Sequence, residues 1–482
     1  MRRLIFLLAL VLSGCTVGPD YQRPDAPISV AYKELQGWTI AQPQDVADRG
    51  AWWSIYNDPE LDRLERQIDV SNQTIKQFEA QYRDAVALVQ EVRSNLFPTI
   101  GATAGATRSG TGKSPAQTQY SVEGLFSWDL DVWGRIRREV ESQAAAAQVS
   151  AADLANARLS AQATLATDYF DLRAEDLLAE ILRETVVAFE QSLTIVENQH
   201  TAGTASSGDL AAAQAQLEGA RAQLVAVGVQ RATLEHAIAV LTGHPPAELT
   251  IPPAPLATEV PIVPPGLPST LLQRRPDIAA AERLMQEENA LIGVAKAAYY
   301  PDITLSADAG FLSNSLSGLT HTANSVWSVG ASASETLFDG GFRSAQLDAT
   351  RATYDQSVAS YRQVVLTALQ QVEDQLSSLR ILAQQGQAEA IAVAAAQHAV
   401  DVTLNEYRAG TVTYTSVVTE QQILLTDQQT ALAVQQSRLV ASVGLAAALG
   451  GGWDTSQLPN LAALRAGRSG SPSNAALSRQ AN

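Results

Sequence analysis

An internal repeat constrains the fold of this 482-residue chain more than any other feature of its sequence. Three segments recur in the same order 203 to 208 residues later: LFPTI at 96–100 as YYPDI at 299–303, DVWGR at 131–135 as DGGFR at 339–343, and NQHTAGT at 198–204 as NEYRAGT at 405–411. A single match could arise by chance, but three in register indicate two tandem copies of one structural unit.

Each copy contains two stretches in which apolar and polar residues alternate, which predicts β-strands with one apolar side. In the clearest of them Ile303, Leu305 and Ala307 alternate with polar residues. The predicted strands are 99–108, 118–130, 302–312 and 325–337. Strands of about ten residues with this alternation are typical of a membrane-spanning β-barrel.

Four strands are too few to close a barrel, because about eight is the working minimum. An open sheet would leave unpaired strand edges in lipid, at a high cost in free energy. Two chains would give a narrow barrel of eight strands, and three would give twelve strands, wide enough for a pore. We therefore infer a homotrimer.

Long helices are predicted after each strand pair, because residues 132–198 and 340–408 contain no proline. At 1.5 Å per residue each helix would be about 100 Å long. Gly203 and Gly410 follow them, as left-handed helix caps would. Further helices are predicted at 59–95, 207–242, 276–298 and 415–448. The fold class is thus mainly α, with a membrane β-barrel and long helices of coiled-coil character.

Other segments set the limits of the two copies. Nine of the twenty prolines lie within 245–268, which predicts an extended linker. The end of the chain from Asp454 lacks any period and predicts a disordered or loosely wrapped tail. The predicted organisation is a signal peptide at 1–14, an N-terminal segment at 15–58, a first repeat at 59–244, a proline-rich linker at 245–270, a second repeat at 271–450 and a tail at 451–482.

The amino terminus predicts export and lipidation. Two arginines precede an apolar run, 4–12, that is too short to span a bilayer, so it indicates a signal sequence. Residues 12–15 (LSGC) look like the lipobox of bacterial lipoproteins, in which Cys15 would carry a diacylglycerol and, after cleavage, an N-acyl chain. The alternative is an ordinary signal with a chance cysteine. Thr16, where an Asp would favour inner-membrane retention, favours the outer membrane.

Charge and motif content argue against other classes. Removing Arg2 and Arg3 leaves 31 basic against 50 acidic side chains, which excludes a nucleic-acid partner. Cys15 is the only cysteine, so there is no intrachain disulfide. The five histidines lack metal-ligand spacing, and no catalytic motif appears, so we predict no enzyme activity, no metal and no cofactor beyond the lipid on Cys15. Glu373 and Asp374 are interpreted as a solvated or lumen-facing surface, and Asp131 as a helix N-cap.

Three motifs carry a resemblance to a known family: CTVGPDY at 15–21, WDLDVWGR at 128–135, and RRPDI at 274–278 followed by Ala281 and Glu282. Together they resemble the outer-membrane factors of tripartite efflux systems, the TolC-like tunnels, in their lipoprotein branch. The resemblance implies a homotrimer with a twelve-stranded barrel in the outer membrane of a Gram-negative bacterium and an α-helical tunnel across the periplasm. It also implies a periplasmic membrane-fusion adaptor, an inner-membrane pump of the resistance-nodulation-division type, and small toxic compounds or drugs as cargo.

The same resemblance suggests site residues at the periplasmic end. It implies adaptor contacts at the two helix turns, through Gly203, Thr204, Arg408, Gly410 and Thr411, although helix capping alone explains the glycines. It implies a gate in which Ser416 and Thr419 stand where the family often has Asp, which puts a double acidic ring in doubt. Asp209 and Glu420 are possible replacement rings; the alternatives are a helix-end residue and a solvated face.

The sequence leaves two other functions open. One is an outer-membrane tunnel for type I protein secretion, served by an ATP-driven transporter. The other is a periplasmic adaptor lipoprotein, which would lack paired amphipathic strands and tandem copies. The WWSIYNDP cluster at 52–59 is interpreted as packing the N-terminal segment against the waist of the tunnel.

Overall fold

The computed structural model describes residues 16–34, 51–112, 115–263 and 268–467. Its main helices and strands are α1 (Pro59–Ser71), α2 (Gln73–Ser94), β1 (Thr99–Ser109), β2 (Gln117–Leu130), α3 (Arg135–Thr201), α4 (Ser207–Leu241), α5 (Leu271–Arg274), α6 (Pro276–Ala297), β3 (Asp302–Ser313), β4 (Ser325–Ser334), α7 (Phe342–Arg408), α8 (Tyr414–Ala448) and α9 (Leu461–Arg465). The predicted signal peptide and Cys15 lie outside the described residues.

The repeat inferred from sequence is a structural repeat. Helices α3 and α7 each contain 67 residues, α4 and α8 each contain 35, and α2 and α6 each contain 22. Each copy therefore runs through a shorter helix, a strand pair, a long helix and a returning helix. The prediction of a mainly helical chain with four strands is confirmed.

The four strands form one antiparallel sheet in the order β1-β2-β3-β4. Strands β2 and β3, which come from different copies, pair along their length, so the sheet joins the two repeats. The two outer strands have no partner on their other side in the part of the chain that the structure describes. Every residue of β1 is exposed.

The helices follow the same order as the strands. Helix α3 packs against α2 and α4 on one side and against α6 and α8 on the other, and α7 packs against α6 and α8. The open sides of the helix layer are thus α2 with α4 and, opposite, α7. Helix α4 is long and apolar enough to cross a membrane by composition, but its place alongside α3 assigns it to this layer.

The shorter helices of each copy stack end to end. At the first junction the Asn72 side-chain amide donates to Leu241 O (2.8 Å) and Ser71 Oγ donates to Thr242 O (2.6 Å). Gly243 has a φ of +71°, and a Cβ there would overlap the Ser71 carbonyl. Gly450 repeats this arrangement in the second copy: its φ is +97°, and a Cβ would overlap the carbonyl of Arg274. The first stack runs beside α3, and the second lies between α3 and α7.

A hydrophobic core at the level of these junctions draws on both copies. It includes Leu64 of α1, Phe170 of α3, Ile238 of α4 and Leu439 of α8. The Trp52–Tyr56 turn packs into this core, with Trp52 and Trp53 both buried. The aromatic cluster therefore anchors the N-terminal segment at this level.

The proline-rich linker and the N-terminal segment lie outside the repeats and contact equivalent positions, one on each copy. Arg173 of α3 donates to Pro252 O of the linker (2.7 Å), and Arg231 donates to Ile251 O (2.6 Å). The counterpart of Arg173 in the second copy, Arg380 of α7, binds the Glu34 carboxylate (2.6 Å). Each extended segment is held by charged side chains of a long helix.

Several element predictions were wrong. The predicted helix 59–95 is two helices, because Asn72 is extended (ψ 123°) and its side chain caps α2 by accepting Ile75 N. Strand β4 ends at Ser334 rather than 337. The long helices begin at Arg135 and Phe342, each after a glycine in the left-handed region, and the first continues to Thr201.

The interpretations of Glu373 and of the tail also need correction. Glu373 is neither merely solvated nor lumen-facing, because its carboxylate accepts the backbone N–H groups of Lys33 (2.7 Å) and Glu34 (3.0 Å). The described part of the tail packs against the helices: Leu464 of α9 is buried in a cluster with Val89 and Val140. Arg465 reinforces that contact through Glu141.

Glu65 is a buried acid on the packed face of α1. Both of its carboxylate oxygens are buried and have no hydrogen-bond partner among the described residues. Burial, reinforced by the charges of Asp69 and Asp62, raises the pKa of this carboxyl well above its usual range. Because the pKa of a glutamate in the unfolded chain is about 4.3, the protonated Glu65 destabilises the fold least below that pH. Ionisation of this one group costs stability as the pH rises from there towards its folded-state pKa.

We expect Glu65→Leu to raise the thermal unfolding midpoint of the detergent-solubilised protein, with a larger gain at pH 8 than at pH 4.5. The gain reflects removal of a buried unpaired group, on the order of 1–3 kcal/mol. Glu65→Gln cannot ionise but keeps a buried polar group. It should therefore remove the pH dependence that Glu65 contributes to the unfolding midpoint, without the gain seen at low pH for Glu65→Leu. An equal gain for Glu65→Leu at both pH values would contradict this account.

Candidate transport path from barrel to helical tips

One face of the sheet is apolar across all four strands. The register aligns Ile100, Phe126, Ala307 and Val329 in one row. The next row contains Ala102, Gly124, Ala309 and Trp327. Trp327 and Val329 are about three-quarters exposed. Such an exposed apolar face, on strands of 10 to 14 residues, is typical of the lipid-facing side of a membrane barrel.

The opposite face is mainly polar, and its charged side chains on the four described strands are all acidic. Its carboxylates are Glu123, Asp129, Asp302 and Asp308. Asp129 accepts a hydrogen bond from Thr304 Oγ1 (2.9 Å), and Asp308 accepts one from Ser328 Oγ. A lining with this charge attracts cations and repels anions.

Gly310 lies on this polar face opposite Glu123. A Cβ at Gly310 would overlap the Val122 carbonyl and lie 2.9 Å from Glu123 Cγ. The glycine therefore gives the Glu123 side chain its room over the strand. Gly330, on the same face, would place a Cβ no closer than 3.4 Å to Ser306 Oγ.

The turn from sheet to helix uses an Asp–Arg pair in both copies. Asp131 accepts the N–H groups of Ile136 and Arg137 (both 3.0 Å) and also pairs with the Arg137 guanidinium. Asp339 pairs with Arg343 in the same way (2.6 Å). Both carboxylates thus satisfy free N–H groups at the start of a long helix. The N-cap position of α3 is Gly134, so the prediction of Asp131 as the N-cap residue was wrong, although Asp131 does bind N–H groups of the first turn.

Trp133 fastens the first of these turns to the second copy. Its ring stacks on Tyr300 at 4.7 Å between centroids, and its indole N–H donates to Pro301 O (2.9 Å). Because Tyr300 lies just before β3, this contact fixes the base of the sheet where the two copies meet.

The N-terminal segment starts at the same level. Val17 N donates to Trp133 O (3.0 Å), and a Cβ on Gly134 would lie 2.8 Å from Thr16. Arg138, almost fully buried, pairs with Asp20 (2.9 Å) and Glu141 (2.8 Å). The residue that follows Cys15 is therefore held at the base of the strands.

The turns at the far ends of the long helices have matching geometry. Gly203 and Gly410 have φ values of +77° and +76°. Thr204 N donates to Gln199 O (2.9 Å), and Thr411 N donates to Glu406 O (3.0 Å), which satisfies carbonyls of the last helical turn. No atom of the described residues would contact a Cβ on either glycine, so φ alone requires glycine there. Thr204, Arg408 and Thr411 are exposed.

The four residues suggested for a gate differ in setting. Asp209 forms a capping box with Ser206, accepting its backbone N–H (3.1 Å) and its hydroxyl (2.9 Å). Thr419 is exposed and donates to Thr415 O within its own helix. Ser416 and Glu420 are half-buried. A gate function for these residues stays a prediction.

Asp209 also acts on two tyrosines of the second copy. Burial, together with Tyr407 and the charge of Asp209, raises the pKa of Tyr414 to about 12. Burial and the same carboxylate raise the pKa of Tyr407. The two rings lie 5.3 Å apart and pack against Val196. Asp209 thus lies where the two helical hairpins meet.

A buried polar contact joins the two helical hairpins further from the tips. The sequence analysis did not identify it. Gln421 of α8 donates to Ser192 Oγ of α3 (3.0 Å) and accepts from Gln216 of α4 (3.2 Å). Gln421 is only 5% exposed. Its position on the apolar stripe of α8 is the only signal for it in the sequence.

Comparisons with known proteins agree with this geometry. A family model described as outer membrane efflux protein matches residues 64–244 and 267–451. The chain is 32% identical over 463 residues to a toluene efflux pump outer membrane protein, TtgC, of Pseudomonas putida, covering 92% of this chain and 94% of that one. The antibiotic efflux pump outer membrane protein ArpC of Pseudomonas putida matches to the same extent.

A solved structure of the outer-membrane channel OprN matches with a TM-score of 0.85 and 30% identity, covering 91% of this chain and all of that one. The fold and its lipid-facing sheet define an outer-membrane channel with a helical extension. The chain belongs to the outer membrane efflux protein family. The family resemblance, the outer-membrane location and the channel function predicted from sequence are confirmed.

We expect Gly310→Ala to lower the yield of heat-resistant oligomer, because the added methyl overlaps the neighbouring strand at a cost of about 1–3 kcal/mol. Gly330→Ala adds the same methyl to the same face without a close contact and serves as the matched control. Yield is read from the migration of unheated samples in detergent gels. Equal yields for both variants would contradict the packing argument.

Proposed function

We propose that three copies of this chain form a tunnel that conducts drugs or other small toxic compounds out of the cell from an inner-membrane pump and a periplasmic adaptor. The observation that carries this proposal is the four-stranded sheet with one apolar face and two open edges. Three such sheets supply twelve strands, which close a barrel and leave no edge in lipid.

The open sides of the helix layer fit the same assembly. Helix α4 exposes Val225 and Val229, and α7 on the opposite side exposes Ile391. At 1.5 Å per residue, Val225 lies roughly 27 Å and Ile391 roughly 26 Å from their respective tips. Apolar side chains at equal height on the two open sides favour burial against the next copy.

The barrel lining supports a class of cargo. Four carboxylates per chain would place twelve in a trimer, with no basic side chain on the polar face of the described strands to offset them. Neutral and cationic compounds pass such a lining more readily than anions do. The relatives named for toluene and antibiotic efflux favour small-molecule efflux over protein secretion. The tandem repeats and membrane sheet argue against the adaptor alternative.

The helical tips suit contact with a periplasmic adaptor. Both turns present a glycine and a threonine in the same conformation, with Thr204 and Thr411 exposed. In a trimer the two kinds of tip would give six similar turns around the tunnel entrance. We propose Gly203, Thr204, Arg408, Gly410 and Thr411 as the adaptor-contact residues, and an inner-membrane pump of the resistance-nodulation-division type as the further partner.

The lipid on Cys15 remains part of the proposal. Thr16 is held at the base of the strands, where a membrane barrel meets the periplasm. A diacylglycerol on the preceding residue would therefore enter the adjoining lipid leaflet without strain on the chain. The lipid is a second tether for a protein whose barrel already spans the membrane.

We expect Thr411→Glu to abolish resistance to toxic compounds in a deletion strain without lowering the yield of trimer, because a charged side chain would block adaptor docking. Thr411→Ser keeps the hydroxyl bond to Glu406 O and should retain resistance. Survival on a compound panel and the yield of heat-modifiable trimer are the two measurements. A fully active Thr411→Glu variant would contradict the adaptor assignment.

We expect Cys15→Ala, exported behind an ordinary secretory signal, to form trimers with the efflux activity of the parent chain. The reason is that the barrel, not the lipid, fixes the protein in the outer membrane. Membrane fractionation and the same resistance panel test this. Trimers that fail to insert would show that the acyl chains have the larger role.

A further inference from the structure

The apolar face of the sheet carries one arginine at its outer end. We propose that this residue, Arg108 of β1, binds a phosphate group on a lipid of the outer leaflet, which in a Gram-negative outer membrane is a phosphorylated glycolipid. The site concerns the lipid around the barrel and goes beyond the proposed transport of cargo.

Charged side chains on the four described strands are separated by sign. Arg108 is the only basic residue of these strands. The alternation of β1 places it on the same side as Ile100 and Ala106, which is the apolar face. The carboxylates, such as Glu123, lie on the polar face. The one cation of the strands therefore faces lipid rather than cargo.

Arg108 lies near the outer limit of the apolar face. The long helices follow the opposite end of the sheet, after Leu130 and Ser334, so the end at Arg108 points away from the periplasm. At about 3.3 Å per residue, Arg108 is roughly 26 Å from Ile100 along β1. On a strand tilted by about 40° this is a rise of roughly 20 Å, against an apolar band about 25 Å tall in membrane barrels. An arginine at mid-depth would destabilise a barrel, but near the interface its cost is small.

Aromatic side chains mark the same level on the other strands. Arg108 is opposite Thr118, and the next row of the apolar face towards the helices contains Tyr120. The two rows after that contain Phe311 of β3 and Trp327 of β4. Arg108 and the three aromatic residues thus form an oblique line that moves by one row on each successive strand. The membrane plane crosses tilted strands obliquely, and aromatic girdles lie at its two interfaces. This line therefore places Arg108 at the level of lipid headgroups.

The guanidinium of Arg108 is available to an external anion. The residue is exposed, and no ion pair or hydrogen bond engages its side chain within the part of the chain that the structure describes. A guanidinium presents N–H donors in one plane and binds two phosphate oxygens at once. Its aliphatic stem can lie on apolar surface while the charged end reaches the headgroups. Phosphate is thus the ligand that suits this side chain at this depth.

Charge and position together select a lipid of the outer leaflet. The chain has 50 acidic against 33 basic side chains, so attraction of anions is not a general property of its surface. Headgroups of the inner leaflet lie at the other end of the strands, beyond the reach of Arg108. In the proposed trimer three equivalent arginines would lie around the barrel at one height.

Native mass spectrometry of the delipidated full-length protein with added lipid tests the site. The probe is lipid A with both of its phosphates, and the comparison lipid is the same molecule with both phosphates removed. We expect Arg108→Gln to lower the apparent affinity for the phosphorylated lipid by about tenfold, because charge-assisted hydrogen bonds are lost. Arg108→Lys keeps the charge and should retain most of the affinity. Arg83→Gln is the matched control, because Arg83 is an exposed arginine of α2, outside the sheet.

The parent chain should prefer the phosphorylated lipid, and the comparison lipid should bind the parent and Arg108→Gln equally. Equal affinity of these two chains for the phosphorylated lipid, or an equal loss in Arg83→Gln, would overturn the assignment. A loss in Arg108→Gln that persists with the comparison lipid would overturn phosphate as the ligand. Equal binding of phosphatidylglycerol and lipid A by the parent would overturn the outer leaflet as the source.

The yield of heat-resistant oligomer shows whether Arg108→Gln assembles. If it does not, the parent chain alone decides, since a parent without preference for the phosphorylated lipid has no phosphate site.

Discussion

The unpaired edges of a four-stranded sheet are the constraint on which the rest of this molecule depends. One face of the sheet is apolar, so the sheet belongs in lipid, where an open edge leaves backbone N–H and C=O groups without partners. The chain cannot relieve this cost alone, because β1 and β4 are the first and last strands of the sheet. If further copies close the sheet into a barrel, they also cover the two open sides of the helix layer, α2 with α4 and α7.

The segments outside the repeats pack against the helix layer that the two repeats form. The linker after α4 and the N-terminal segment lie against matching arginines, Arg173 and Arg380, on the two long helices. The start of the N-terminal segment lies at the base of the strands, beside Gly134. These contacts hold the linker and the N-terminal segment against the helix layer at the waist and at the base of the strands.

The sequence predicted the parts of the fold that follow from periodicity. Alternation located the strands, and glycines such as Gly410 marked the turns. It could not reveal the helix break at Asn72, because a single extended residue inside an amphipathic pattern leaves the period intact. It also missed side chains whose roles depend on distant partners: Glu373 binds backbone about 340 residues away, and Gln421 joins three helices. The packing of the tail was missed because its contacts, such as those of Leu464 and Arg465, follow no sequence pattern.

The number of chains in the native particle tests the central claim most directly, because two, three or four copies would give eight, twelve or sixteen strands. Native mass spectrometry of the protein extracted from outer membranes in mild detergent measures that number. A closed twelve-stranded barrel requires a particle of three chains that remains intact until heated. A particle with any other number of chains under the same conditions would contradict that barrel.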